Sequence, residues 1–128
     1  MSATNKFRIT TIIRKMLLAN SNIAGRVGEK IYPLVAPKDT IGDFITYQRD
    51  AYTKNRNKMG VHGQDCFVYI NAVSDGYGKS QDLACLIDEC LDGEYTNPDG
   101  TPMSIWLEDS TEEFEDGKYI QILLYAIK

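Results

Sequence analysis

The sequence QDCFVYINAV, residues 64–73, decides the fold because it predicts a strand at the centre of the molecule. It is rich in β-branched and aromatic residues and contains neither proline nor glycine, a composition that is typical of a well-buried strand. Two glycines, Gly76 and Gly78, follow within a few residues. We therefore predict a central strand over residues 64–73 and a change of structure directly after it.

The stretch that follows this strand has the period of a helix. Apolar residues recur at steps of three and four, and acidic or amide residues fall between them. The apolar positions are Leu83, Leu86, Ile87, Cys90 and Leu91. A strand followed by an amphipathic helix has apolar surfaces that can be hidden only against each other or against further strands. The pattern predicts a sheet covered by helices.

The N-terminal part of the chain supplies a second helix and two further strands. Residues 6–18 carry apolar residues at helical spacing, and residues 23–28 predict a compact turn. Residues 30–37 predict a short strand at the edge of the sheet, because Pro33 lacks the backbone donor that a central strand needs. Residues 43–52 alternate as a strand does.

The C-terminal part predicts a hairpin. Residues 103–109 and 118–127 are interpreted as strands, and an acidic stretch ending in Asp116-Gly117 joins them. The prediction is an α+β fold in one domain, residues 1–128, with a single antiparallel or mixed sheet of about four to five strands and two helices packed on one face. The predicted core consists of Phe7, Ile12, Ile13, Met16, Phe67, Tyr69, Leu83, Leu86 and Ile87.

Composition excludes several classes of protein. The net charge of −4 opposes nucleic-acid binding through bulk positive charge. The three cysteines, Cys66, Cys85 and Cys90, lie inside predicted elements and indicate reduced thiols in a cytosolic setting. No apolar run approaches the roughly twenty residues of a membrane span, and the N-terminus lacks the pattern of a signal peptide. We expect a protein that is neither secreted by a signal peptide nor membrane-spanning.

The candidate binding residues lie in two oppositely charged stretches. Residues 53–63 are polar, basic and glycine-bearing, and we interpret them either as a solvated loop or as a partner-binding arm that is poorly ordered until assembly. The acidic stretch before residue 117 could be complementary to this arm between adjacent copies. The candidate partner-binding residues are Lys54, Arg56, Lys58, His62, Glu112, Glu113 and Glu115.

No pattern in the sequence predicts catalysis. The only histidine is His62, in the predicted arm, and general acid–base or nucleophilic chemistry needs two titratable groups placed together. Residues 76–80 end in the Gly-Lys-Ser of a phosphate-binding loop, but Val73 stands where that motif needs a glycine. The acidic stretch lacks the residue order of a calcium loop. We expect no enzyme activity, no cofactor and no metal.

A nucleic-acid-binding module, or another protein-interaction module, is the alternative function. Aromatic residues on the predicted strands could form a stacking platform for bases. They are Tyr47, Tyr52, Phe67 and Tyr69. The acidic net charge and the absence of an RNA-binding signature favour core and interface positions for these side chains instead.

The order of elements resembles that of a known family. Its most specific pieces are IYPLVAP, residues 31–37, and FITYQR, residues 44–49. After them come the strand–helix unit ending in Leu91-Asp92-Gly93 and a closing strand behind an acidic stretch. The chain is similar to the tail-completion proteins of long-tailed bacteriophages and prophages, which are related in fold to tail-terminator proteins. The resemblance extends from about Phe7 to Ile127, and it departs from the family at the basic residues 53–63 and at the inserted turn Asn97-Pro98-Asp99-Gly100.

The resemblance implies a structural role. It implies a subunit that forms a hexameric ring at the head-proximal end of the tail tube, although an isolated subunit could be monomeric. The ring would complete the tail and contact the tail tube protein and the head-connector protein. A passing contact with DNA in the channel stays open. The implied location is the virion tail, and the host bacterial cytoplasm during assembly.

Overall fold

The structure, a computed structural model, describes residues 6–57, 60–96, 100 and 102–128, and for residues 6, 53–57 and 60–65 it describes the backbone alone. A short 3-10 turn, Lys6–Arg8, leads into the first α-helix. The α-helices are α1, Ile9–Ala19; α2, Ser21–Val27; and α3, Tyr77–Leu91. The strands are β1, Ile31–Pro33; β2, Phe44–Asn57; β3, Gly60–Ser74; β4, Gly93–Thr96; β5, Pro102–Glu115; and β6, Lys118–Ile127.

The strands form one six-stranded sheet in the order β1-β2-β3-β6-β5-β4. The β1–β2 pair is parallel and every other pair is antiparallel, so the sheet is mixed. The predicted α+β class is confirmed. The predicted counts of about four to five strands and two helices were too low, because β4 and α2 were not recognised. The strand predicted over residues 64–73 lies within β3, which β2 and β6 flank.

All three α-helices contribute to one core on one face of the sheet. Alternate residues of the inner strands point into this core, as the two-residue period of a strand requires. On β3 and β6 these are Cys66, Val68, Ile70, Ala72, Leu123, Tyr125 and Ile127. The helices oppose them with Ile9, Ile13, Leu17, Ile23, Val27, Leu83, Ile87 and Leu91. The predicted phase of α3 is confirmed, because Leu83 and Ile87 are both fully buried.

Three predicted core residues lie elsewhere. Phe7 is 61% exposed, and its ring packs edge-on against Tyr52. Phe67 and Tyr69 are half-buried on the opposite face of the sheet from the helices. The prediction assigned the wrong face of β3 to the core because Phe67 and Tyr69 are bulky and aromatic. The residues that face the helices include smaller ones, such as Cys66 and Ala72. Because side chains alternate along a strand, this choice reverses every position on it.

The turn predicted over residues 23–28 is the helix α2. Asn20 is its N-cap, and the Asn20 Oδ1 accepts hydrogen bonds from the backbone amides of Asn22 and Ile23 at 3.0 and 3.1 Å. Asparagine is among the strongest N-cap residues. The polar stretch after α1 therefore starts a new helix as well as ending the first. The predicted edge strand is also shorter than expected, since β1 ends at Pro33.

The prediction of a loop over residues 53–63 is wrong, because the described residues of this stretch belong to two strands. Strand β2 continues to Asn57, and β3 begins at Gly60, with Thr53 opposite Asp65 and Lys54 opposite Gln64. These residues extend the β2–β3 hairpin past the ends of the neighbouring strands, because β6 reaches β3 only from Cys66 onward. We call this extension, residues 53–57 with 60–65, the ribbon. Lys58 lies outside the described residues.

The predicted hairpin at the C-terminus is confirmed, with a tighter turn than expected. Residues 112–115 belong to β5, and only Asp116 and Gly117 form the turn. Both have positive φ, 51° and 76°, the conformation of a type I′ turn. Asp-Gly is a preferred pair for such a turn because glycine adopts positive φ without steric cost.

Candidate functional site

The sheet face opposite the helices is a candidate binding surface. Its residues alternate with those of the core, and no helix among the described residues covers them. The face combines aromatic, aliphatic and amide side chains. The half-buried members include Phe67, Tyr69, Asn71, Ile120, Ile122 and Leu124, whereas Phe44, Thr46 and Val73 on the same face are buried. Such a mixed, partly apolar surface fits a protein partner better than water.

Two hollows indent this face. One, of about 390 Å³, is lined in part by Val35, Phe44 and Ile120. The other, of about 380 Å³, is lined by Gln48, Tyr69, Asn71, Thr111, Glu113 and Ile122. Asn71 lines both hollows, and its Nδ2 donates to Thr46 Oγ1 at 3.1 Å. The Asn71 Oδ1 is buried and accepts no hydrogen bond from the described residues. A donor from outside the chain would satisfy this oxygen.

The acidic candidate residues divide between the two faces of β5. Glu112 faces the helices, where its carboxylate accepts hydrogen bonds from Tyr77 Oη at 3.0 and 3.1 Å and from Gln121 Nε2 at 2.9 Å. The same Gln121 Nε2 lies 3.3 Å from the buried Ser80 Oγ. This network fastens the β5–β6 hairpin to the start of α3. Glu112 is thus used inside its own subunit, whereas Glu113 and Glu115 are exposed on strand positions of the uncovered face.

The contact with Glu112 changes the pKa of the Tyr77 hydroxyl. Its hydrogen bond to Glu112 raises the pKa of Tyr77 above the usual tyrosine value. Next to it, the rings of Tyr77 and Phe114 both contact that of Tyr119, with centroid distances of 5.7 and 4.8 Å. An open hollow of about 240 Å³ lies beside this group. The polar groups here are hydrogen-bonded to one another, and the arrangement is that of a structural anchor.

The basic candidate residues lie on the ribbon. Lys54 and Arg56 are on β2, and His62 is on β3. The structure does not bring them near Glu112, Glu113 or Glu115 within one subunit, because β2 and β5 are separated by β3 and β6 in the sheet. A contact between the two charged stretches therefore requires two copies of the chain.

The aromatic residues predicted as a stacking platform do not share a surface. Tyr47 is 8% exposed and belongs to the core on the helix-covered face. Phe67 and Tyr69 lie on the uncovered face. Tyr52 packs against the core and against Phe7. The geometry therefore removes the main support for a base-stacking site.

The described residues form no arrangement that indicates catalysis. No group of three or more histidine, cysteine, aspartate or glutamate side chains among them could hold a metal ion. The strongest pKa displacements have structural causes. Burial, reinforced by the hydrogen bond to Asp88, raises the pKa of Tyr125 far above its usual value. A hydrogen bond from Lys118 lowers the pKa of Asp75, and burial raises that of the Cys90 thiol.

One feature of the surface was not predicted from the sequence. Residues 34–43 expose three apolar side chains, Leu34, Val35 and Ile41, which are 62, 77 and 78% exposed. The loop is firmly built, because Leu34 N donates to Tyr47 O at 2.8 Å and Lys30 Nζ donates to Ile41 O at 2.8 Å. The prediction of a strand over residues 30–37 concealed this. The signal for Leu34 and Val35 was the pair of prolines, Pro33 and Pro37, on either side of them.

Comparisons with known proteins place the fold. No helix among the described residues is long and apolar enough to cross a membrane. No protein-family model matches the chain, and no curated protein gives a significant match. A chain from the virion of a native gene transfer agent particle matches with a TM-score of 0.69 and 18% identity, over 90% of each chain. A second solved protein matches with a TM-score of 0.67 and 14% identity, over 98% of this chain and 95% of its own. The chain shares its fold with these proteins over nearly its whole length.

Proposed function

We propose that this chain is a structural, non-enzymatic subunit of a phage or prophage tail. In this role it completes the tail as a member of a ring and joins the tail to the head-connector. The observation that carries the proposal is the fold shared with a chain of a gene transfer agent virion, at a TM-score of 0.69 over 90% of both chains. The sequence resemblance to tail-completion proteins points to the same kind of particle.

The surfaces of the molecule support an assembly role. A ring subunit needs two different surfaces that contact its neighbours, and further surfaces for the structures above and below the ring. The chain offers the edges of the sheet, the uncovered sheet face and the apolar loop of residues 34–43. Among the described residues these surfaces have no covering element.

A deletion and complementation experiment tests the proposal. In a phage or prophage that encodes this chain, a stop codon early in its reading frame should leave DNA-filled heads and separate tails. Adding the purified chain to that lysate should restore joined, infectious particles. The proposal fails if particles assemble and join normally without the chain. It also fails if tails are never started, since a tail-completion subunit acts after the tube has been built.

A further inference from the structure

We infer that the ring is built by strand pairing between copies: the outer edge of β5 in one copy pairs with the outer edge of β2, beyond Tyr47, in the next. The inference rests on the proposed function and names the subunit interface that such a ring would use. It is argued from the two free edges, their directions and their charges.

The first edge is the outer side of β5. Strand β4 pairs with β5 only over Pro102–Ile105, as its register from Gly93 to Thr96 shows. From Trp106 to Glu115, β5 pairs with β6 on its inner side, and no described strand pairs with its outer side. Every residue from Trp106 to Glu115 is exposed. A long, exposed strand edge is a template for another strand.

The second edge is the outer side of β2. Strand β1 pairs with β2 only at Ile45, Thr46 and Tyr47. The hydrogen bond from Leu34 N to Tyr47 O, at 2.8 Å, marks the end of that pairing. From Gln48 onward β2 pairs with β3, and none of the described strands covers its other side. The molecule thus has one long free edge on each side of its sheet.

The strand directions make these edges compatible. The pairs β2–β3, β3–β6 and β6–β5 are all antiparallel, so β5 runs opposite to β2. A second copy in the same orientation, displaced along the strands so that its β1 lies beyond Glu115 and β4 of the first lies beyond Asn57, therefore presents its β2 antiparallel to β5 of the first. The helices of both copies then lie on the same side of one continuous sheet. The contact is heterologous, so repeating it generates a closed ring when the rotation closes.

Backbone groups are available on the β5 edge. Asp116 and Gly117 form a two-residue turn, so Glu115 and Lys118 are the hydrogen-bonded pair that closes it. Since bonded and non-bonded pairs alternate, Phe114 and Glu112 direct their backbone groups outward. The amide of Ser110 fits this alternation, because it donates to the Asp109 carboxylate at 2.9 Å. Phe114 N–H is then a free donor for an incoming strand.

Charge selects the partner edge. The β5 edge carries five carboxylates and no basic residue, namely Glu108, Asp109, Glu112, Glu113 and Glu115. The β2 edge carries Arg49, Lys54 and Arg56 with a single acid, Asp50. Two β5 edges would repel each other, and so would two β2 edges. Opposite charges on the two edges favour β5-to-β2 contact and set its register.

A mixing experiment with two charge-reversed variants tests this interface. The β5-edge variant carries Glu108→Lys, Glu113→Lys and Glu115→Lys, which spare the anchored Glu112 and leave this edge with more lysines than carboxylates. The β2-edge variant carries Lys54→Glu and Arg56→Glu. Each variant alone should self-associate on the order of tenfold more weakly than the parent in low salt, because it places like charges across the interface. An equimolar mixture should recover association, since a ring in which the two variants alternate restores opposite charges at every contact.

Sedimentation velocity and negative-stain microscopy give the readout. The matched control for the β5-edge variant carries Glu29→Lys, Asp82→Lys and Glu89→Lys, which change the net charge by the same amount at exposed positions outside both edges. It should behave as the parent does. The interface is wrong if the mixture associates no better than its components, or if the parent itself never associates at any concentration. Thermal unfolding confirms that each variant is folded.

A second pair of variants tests the backbone contact. Phe114→Pro removes the outward N–H and should abolish association, whereas Phe114→Ala keeps this donor and should associate as the parent does, within about threefold. Equal behaviour of the two would contradict strand pairing. Head–tail joining is scored on the same proteins. If copies of the chain no longer associate but heads and tails still join, the interface is not part of the function. If copies associate normally but heads and tails never join, the proposed function is wrong and the interface stands.

Discussion

Leu83 is the residue on which the packing of α3 depends most simply. Its side chain is fully buried between the helix and the sheet. Leu83→Ala should lower the free energy of unfolding by roughly 2–5 kcal/mol, because it removes buried apolar surface and leaves a cavity. Urea denaturation measures this. Leu107→Ala is the control, since Leu107 is 38% exposed, and should cost about 1 kcal/mol or less. Equal losses for the two variants would contradict the assigned core.

Tyr125 gives a prediction about pH. Its hydroxyl donates to Asp88 Oδ1 at 2.9 Å, and burial, with that hydrogen bond, raises its pKa. A raised folded-state pKa contributes stability that is complete below the unfolded value, about 10, and is lost as the pH rises above it. Absorbance titration of the folded chain should therefore leave Tyr125 un-ionised after exposed tyrosines have ionised.

The Tyr125→Phe variant identifies the lagging group. The parent has eight tyrosines, and all of them should ionise near pH 10 in denaturant. In the folded variant the last step, at the highest pH, should be missing, while Tyr77 and Tyr95, whose pKa values are also raised, still ionise. A parent chain that stays folded while every tyrosine ionises near pH 10 would show that Tyr125 is not held as the structure describes.

Single residues also show where sequence reasoning stops. The spacing of Leu83 and Ile87 was enough to assign the buried side of α3, because helical phase is a local property. Ser74 and Asp75 stand just before α3 and are residue types that often cap helices, yet the N-cap is Gly76 and no side chain caps it. Instead, Ser74 Oγ donates to Asp43 Oδ1 at 2.6 Å, and Asp75 pairs with Lys118. Both partners are distant in sequence, so neither contact could be predicted without the fold.

At the scale of elements, the β5–β6 turn depends on one glycine. Gly117 has a φ of +76°, and an alanine there would adopt a strained backbone. Gly117→Ala should reduce stability by about 1–2 kcal/mol. Gly25→Ala is the matched control, because Gly25 lies within α2 with open space around it and should gain about 0.5–1 kcal/mol. Thermal unfolding of both variants checks the signs. A neutral Gly117→Ala would contradict the type I′ turn.

The ribbon gives the second prediction at this scale. Residues 60–65 of β3, which precede Cys66, pair with β2 alone. A two-stranded hairpin by itself is marginally stable in water. In the free subunit, amides of residues 60–65 should exchange faster than those of residues 66–74, which have strands on both sides. Assembly into a ring should slow their exchange. Equal protection of the two segments in a proven monomer would contradict this expectation.

The elements show which sequence signals are ambiguous. The strand and helix over residues 64–91 could be predicted because their periodicity is strong and uninterrupted. The ribbon could not, because polar and glycine-bearing residues are typical of loops, and only the register with β3 makes them a strand. The charge contrast between residues 53–63 and the acidic stretch before residue 117 could be predicted from the sequence. That they lie on opposite edges of one sheet follows from the strand order, which the sequence does not contain.

At the scale of the whole molecule, the fold and the resemblance lead to one kind of role. The sheet ends in two unlike edges, one acidic and one mainly basic, and its open face has no covering helix among the described residues. Unpaired strand edges of this kind are templates for pairing with another chain. The sequence predicted the assembly role through its likeness to tail-completion proteins. The edges through which assembly would proceed became identifiable only with the strand order.

The central claim is that this chain forms a ring at the head-proximal end of a tail. Electron cryomicroscopy of purified particles that contain the chain tests it most directly. The account predicts a ring of copies between the tail tube and the head-connector, with β5 of each copy beside β2 of the next and the helices on one side of a continuous sheet. Copies stacked along the length of the tube, or particles that are complete without the chain, would contradict it.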